Sequence, residues 1–210
     1  VNVIVAFGTP RAEAAHRATK TIPIVAISIG DPIAAGLVTS LAHPVGNVTG
    51  NTILGPDIIT KKLQILKDAI PTVARIAYLW NPENSATADI LDELRKAVPL
   101  FDLALVSLPA RTTVDFDRVF AQMSSDRPDA VLMTSDPAHQ AHMPEVIDFL
   151  LRNRIAGLFQ VREHVVAGGL MSYGVSLADL FRRAHSTLTR FCAVANPKIY
   201  PLRSQSRSNS

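Results

Sequence analysis

Four times in this chain an apolar run ends in a Thr, Asp or Asn that is followed at once by proline. The junctions are Gly8-Thr9-Pro10, Gly30-Asp31-Pro32, Trp80-Asn81-Pro82 and Ser135-Asp136-Pro137. The runs before them, VNVIVAF, IPIVAISI, RIAYLW and AVLMT, are continuously apolar, as strands buried on both faces must be. The segments after them space their apolar residues for a helix. Thr, Asp and Asn cap helices because a side-chain oxygen accepts from the free N–H groups of the first turn. Proline suits the first helical position, where its missing N–H is not needed. Each junction is therefore expected to carry a strand directly into a helix N-terminus. In parallel α/β sheets that edge, at the carboxyl ends of the strands, is where ligands bind.

The remaining pattern is consistent with this reading. Strands are expected over Asn2–Phe7, Ile22–Ile29, Arg75–Trp80, Leu103–Leu108, Ala130–Thr134, Ile155–Gln160 and Leu170–Tyr173. Helices are expected over Pro10–Lys20, Pro32–Leu41, Pro56–Ile70, Pro82–Val98, around Phe116–Met123, over Pro137–Arg152, and from Ser176 to about Ala193. Their alternation implies an α/β fold with parallel sheets covered on both faces. The Gly-, Pro- and Asn-rich stretch from His43 to Asn51 reads as a crossover or linker. The residues after Asn196 lose the pattern and read as disordered.

Charge and composition exclude some functions. The formal charge of +3 comes from Lys198, Arg203 and Arg207 in the acid-free tail; without them eighteen basic residues face eighteen acidic ones. A neutral body with 6% aromatic residues offers no nucleic-acid footprint, so no nucleic-acid partner is expected. No apolar run reaches the length of a membrane span, and no leader pattern stands at Val1. A start inside a strand pattern, without methionine, reads as a fragment or processed product. Cys192, the single cysteine, allows no internal disulfide.

The polar residues expected at the strand ends are Thr9, Asp31, Asn84, Ser85, Asp136, Arg162, Glu163 and Tyr173. Free N–H groups and helix dipoles favour an anionic group there, and Arg162 offers a bidentate clamp for it. Asp31, Asp136 and Glu163 can accept from an amine or hydroxyl. Together they suit a small polar or zwitterionic ligand. The plainer reading is that Thr9, Asp31, Asn81 and Asp136 only cap their own helices. His139 and His142, one turn from Asp136, have a spacing compatible with a metal, but a surface-helix role is the expectation, and no metal site is assigned. There is no phosphate-cradling or dinucleotide loop, so no cofactor is expected, and no nucleophile elbow marks a catalytic residue.

The stretches VIVAFGTPRAEAA, KTIPIVAISIGDPIAAGLVTSLAHPVGNVTG, KLQILKDAIPTVARIAYLWNPEN and REHVVAGGLMSYGVSLADLFRRA resemble the substrate-binding proteins of ABC transporters, over about Val1 to His185. The resemblance implies a type I periplasmic binding protein-like fold: two Rossmann-like parallel-sheet lobes, with ligand captured in an interlobe cleft. On it, residues 1–44 form a partial first lobe, 45–51 a hinge crossover, 52–193 the second lobe, and 194–210 a tail that departs from the family pattern as a frameshift or abnormal stop would. It implies ligand contacts at Gly8, Thr9, Asp31, Asn84, Ser85, Asp136, Arg162 and Glu163, an amino acid or related carboxylate as ligand, ABC permease subunits as partners, and a periplasmic or lipid-anchored location. The other readings are the effector-binding core of a repressor-like regulator and a doubly wound α/β enzyme. Fold alone does not separate them.

Overall fold

The computed structural model describes residues 2–42, 46–53, 57–194 and 203–204. The chain divides into two compact units, one made of residues 1–55 and 175–210, the other of residues 56–174. Both are built on parallel sheets, as the alternating pattern requires.

The sheet of the first unit has the order β1-β2-β3-β9: β1 (Ile4–Phe7), β2 (Ile24–Ile29), β3 (Val48–Thr52) and β9 (Arg203–Ser204). On one face Ala6, Ile24, Ala26, Ile29 and Val48 pack with Ala12 of α1 (Thr9–Ala18) and with Leu37 and Val38. On the other, Val25, Ile27 and Ile53 pack with Leu180 and Ala184 of α7 (Leu177–Val194). Strand side chains alternate between faces, so Ala26 and Ile29 sharing one face demands an irregularity. It lies at Ser28, whose φ is 60°, where the β2–β3 register slips. Gly50 lies opposite Ala26 with φ 152°; a Cβ there would stand 1.7 Å from the Ala26 carbonyl oxygen, so only glycine lets the two strands pair.

The second unit has a five-stranded sheet in the order β5-β4-β6-β7-β8, with β4 (Arg75–Trp80), β5 (Ala104–Pro109), β6 (Ala130–Met133), β7 (Ala156–Phe159) and β8 (Met171–Ser172). Ala77, Leu79, Val131, Met133 and Phe159 face α4 (Thr113–Asp126) and α5 (Met143–Arg152), which supply Phe116, Val119, Met123, Val146, Ile147 and Leu150. On the other side α3 (Ser85–Ala97) packs on β4 and β5, and α2 (Asp57–Ala69) packs on α3. A short helix, α6 (Arg162–Val166), joins β7 to β8.

Several expectations change. None of the four proline junctions begins a helix with the predicted residue as its cap. The cap of α1 is Gly8, at φ 85°, and Thr9 is the first residue of the helix. Pro32–Leu41 is not a helix: one turn forms after Asp31 and ends where Gly36 takes φ 64°. At Pro82 the chain makes a turn, and α3 starts only at Ser85, capped by Asn84. After Pro137 come a turn and a short 3-10 stretch, and α5 starts at Met143. The stretch expected to be a crossover contributes β3, all five of whose residues are buried. Helix α7, placed with the second lobe by sequence, packs on β2 and β3 of the first unit. His43 to Val45, the start of the Pro56 helix, and the tail other than Val194 and Arg203–Ser204 lie outside the described residues.

Candidate functional site

In the second unit the connection after β4 leads to β5 on one side, while that after β6 leads to β7 on the other. The crevice at the carboxyl ends of these two adjacent strands is the topological switch point, where open α/β sheets take their ligands. Asn81 follows β4 directly and Asp136 stands three residues beyond β6. Asp136 is 1% exposed. Its Oδ1 accepts from Asn81 Nδ2 at 3.2 Å and from the Ala138 N–H at 2.8 Å, and its Oδ2 accepts from Asn84 Nδ2 at 2.7 Å. A carboxylate this buried needs such donors.

The two asparagines are held from their other ends. Asn81 Oδ1 accepts from the Glu83 N–H at 3.0 Å, and Asn84 Oδ1 accepts from the Ala86 N–H at 3.2 Å as the cap of α3. The Thr87 hydroxyl lies 2.5 Å from the Asn81 carbonyl and 2.8 Å from that of Asn84. Asn-Pro at the end of β4 thus makes an Asx turn, not a helix start. Its function is to tie the β4 and β6 ends together through Asp136.

Further residues build this edge that sequence reasoning did not single out. The Tyr78 hydroxyl and Thr134 Oγ1 are hydrogen-bonded at 3.1 Å; burial, with the Asp136 charge adding, pushes the phenol above its ordinary value, so it stays protonated. The Ser135 N–H donates to Gln160 Oε1 at 2.7 Å, joining the ends of β6 and β7, while Ser135 Oγ is buried without a partner among the described residues. Trp80 Nε1 donates to Ser107 Oγ at 2.9 Å, joining β4 to β5. A glutamine or serine after an apolar strand carries no distinguishing sequence signal.

His139 is not on a surface helix, as expected from its spacing with His142. It is 1% exposed, and its Nε2 lies 2.8 Å from the Ala110 carbonyl. A carbonyl only accepts, so Nε2 carries the proton. Burial also lowers the ring's pKa, so the imidazole is neutral. His142 stacks on Phe116 at 4.3 Å and lies 3.2 Å from Glu145. Among the described residues no three His, Cys, Asp or Glu side chains gather as a metal site.

The other expected site residues lie at strand ends or helix starts of the two units. Ser85 is exposed as the first residue of α3. Arg162 and Glu163 are exposed in the first turn of α6, after β7. Tyr173, after β8, is half-buried, and its N–H donates to the Phe159 carbonyl at 3.0 Å. In the first unit, the Gly8 N–H donates to the Ile27 carbonyl at 2.9 Å and Thr9 Oγ1 accepts from the Gly30 N–H at 3.0 Å, which ties β1 to β2. Asp31 Oδ1 accepts from the N–H groups of Ile33 and Ala34, capping its own turn.

Comparison with known proteins agrees with this architecture. The "Tyrosine-binding protein" of Clostridioides difficile (strain R20291) is 27% identical over 183 residues, 87% of this chain and 52% of that protein. The chain thus spans about half the length of the curated relative it matches. A conserved domain protein from Vibrio cholerae superposes with a TM-score of 0.90 at 22% identity, over 99% of this chain and 69% of that one. The ABC domain from Streptococcus pneumonia in complex with L-Trp gives 0.88 at 24% identity, over 98% of this chain and 70% of that one. The fold is that of the type I periplasmic binding proteins. The sequence model for "ABC transporter substrate binding protein" matches residues 1–204, which carries the likeness past His185 and into the tail that the sequence reading set aside. With nearly the whole chain matched and its sheets arranged as this fold requires, the chain belongs to the ABC transporter substrate-binding protein family.

Proposed function

We propose that this chain serves as the solute-capturing component of an ABC transporter and binds an amino acid or a related small carboxylate. The observation that carries this reading is the built polar edge at the β4/β6 switch point, where Asp136 is held by Asn81 and Asn84. Such a frame fixes the strand ends to which a ligand docks, without any charged side chain needing to move. Two relatives support the solute class: one is named for tyrosine, and one was solved with L-Trp. Both are α-amino acids with a carboxylate, an ammonium and an aromatic ring. Thr9 and Asp31 in the first unit, and Asn84, Ser85, Asp136, Arg162, Glu163 and Tyr173 in the second, are the proposed contacts, with the Gly8 backbone beside them.

The chain acts by binding rather than by catalysis, as members of its family do. Its partners are the small solute and the ABC permease subunits that receive it, and its place of action is periplasmic or extracellular. The test is a thermal-shift and calorimetric screen of the 210-residue chain against the twenty amino acids, benzoate and 4-hydroxybenzoate. A ligand that binds the folded state alone stabilises it by about 2.7 kcal/mol at a hundred times its Kd, so Tm should climb with concentration. A folded chain that answers none of these solutes defeats the reading.

A further inference from the structure

Among the described residues four buried side-chain polar atoms have no hydrogen-bond partner: Thr52 Oγ1, Ser135 Oγ, His139 Nδ1 and His164 Nδ1. Thr52, His139 and His164 are buried as whole residues, whereas Ser135 is half-buried and so meets solvent. Its position is fixed. It stands two residues beyond β6, and its N–H donates at 2.7 Å to Oε1 of Gln160, the residue that follows β7. It also directly precedes Asp136, so it belongs to the same strand edge.

The polar groups around it are taken. Thr134 Oγ1 pairs with the Tyr78 hydroxyl at 3.1 Å, and Gln160 Oε1 holds the Ser135 N–H. The Asp136 oxygens hold the Asn81 and Asn84 amides and the Ala138 N–H. The Ser135 hydroxyl is the group this edge leaves open. It has one donor and two lone pairs to offer, and while it is buried unpaired its desolvation is not repaid. A serine oxygen is redirected by rotation about one bond, and here that rotation breaks no hydrogen bond among the described residues. A solute arriving at the edge therefore recruits it without disturbing the frame that ties the strand ends together.

The neighbouring charge says which solute group it meets. The three donors to Asp136 are all neutral, and no lysine or arginine pairs with it among the described residues. A carboxylate with 1% exposure and no cation repels a second carboxylate beside it and attracts an ammonium. An ammonium carries three N–H donors, enough to reach the Ser135 oxygen as well as an acidic neighbour.

We propose that the Ser135 hydroxyl accepts a hydrogen bond from the ammonium of the bound solute and sets the preference of the site for amino acids over the same acids without the amino group. This rests on the reading that the carboxyl edge of the second unit binds the solute. It is tested by calorimetry on the parent chain and Ser135→Ala, with the melting temperature of each free protein measured alongside. Each amino acid that binds is paired with its analogue lacking the amino group: L-tyrosine with 3-(4-hydroxyphenyl)propionate, L-tryptophan with indole-3-propionate. The parent should favour the amino acid. Ser135→Ala should lose about tenfold in affinity for the amino acid and keep the parent's affinity for the analogue. Its free Tm should be no lower than the parent's, because the hydroxyl it removes has no partner to lose. A variant that keeps the parent's preference, or that weakens both members of a pair alike, overturns the assignment of Ser135 and leaves the function standing. So does a lowered free Tm, which would show that the hydroxyl is already engaged, and so does a parent that binds other solutes of the screen but no amino acid. A folded parent that binds none of the solutes overturns the function itself.

Discussion

The side-chain amide of Asn84 donates to Asp136 Oδ2 at 2.7 Å, so the cap of α3 is also a clamp on the end of the neighbouring strand. One residue thereby starts a helix and fixes the edge on which the proposed solute is received. Replacing Asp136 with Ala leaves the Asn81 and Asn84 amides and the Ala138 N–H without their acceptor in a buried place. The expected cost is about 3 kcal/mol, read as a lower urea midpoint. Asn84→Ala should cost about 1 kcal/mol or more through the lost cap, and the double variant should show a coupling of about 1 kcal/mol.

Lys62 makes stability depend on alkaline pH. Its folded pKa is about 8 against 10.5 for the free side chain, so between these values the unfolded chain holds more protons. Stability should therefore rise from about pH 8 to about pH 10.5, and the burial penalty should be present in full below pH 8. Lys62→Met should abolish that rise. Urea titrations at pH 7 and pH 10 measure both effects. A parent urea midpoint that does not rise between pH 7 and pH 10 would contradict the lowered Lys62 pKa.

Asp129 acts at the acid end. Its carboxylate accepts from the N–H groups of Ala74 and Arg75 at 2.9 and 2.8 Å, and these bonds hold its pKa below the ordinary value. A depressed folded pKa contributes stability above the unfolded pKa that is lost as pH falls through the folded one. Asp129→Ala should be less stable than the parent at pH 6, and the difference should shrink below about pH 4. Urea midpoints at these two pH values decide it.

Gly50→Ala should damage the first unit selectively. Its Cβ would overlap the Ala26 carbonyl oxygen at 1.7 Å, and φ 152° disfavours a side chain there in any case. A cost of about 3 kcal/mol or more is expected. Trp80, the single tryptophan, sits in the second unit and reports on it alone. Circular dichroism should therefore show a transition at lower urea than Trp80 fluorescence. Coincident transitions would show that the two units unfold as one.

The strands were legible because each is a short apolar run whose ends carry turn residues: Arg75–Trp80 was placed to the residue. The long amphipathic helices were legible from one apolar stripe, as with Val146, Ile147 and Leu150 of α5. The strand in Val48–Thr52 was not, because Val-Thr-Gly-Asn-Thr has the composition of a loop. Its strand character comes from pairing with β2 and from burial, which local propensity does not record. The helix expected after Pro32 failed for the opposite reason, since Gly36 closes the turn before a second one forms.

By itself the sequence determined that the chain alternates strands and helices, that its polar residues collect where strands end, and that it resembles one family of binding proteins. These follow from periodicity, capping chemistry and motif spacing, all of which are local. Tertiary structure decided what those residues do. Thr9 bonds a neighbouring strand instead of capping its helix, and His139 is buried against a carbonyl. Asp136 is the shared acceptor of two asparagines more than fifty residues away in sequence. Lys62 of α2 is buried while its sequence neighbour Lys61 is exposed. Hydrogen-bond partners and desolvation depend on which strand ends become neighbours, and that is settled only when the sheet forms.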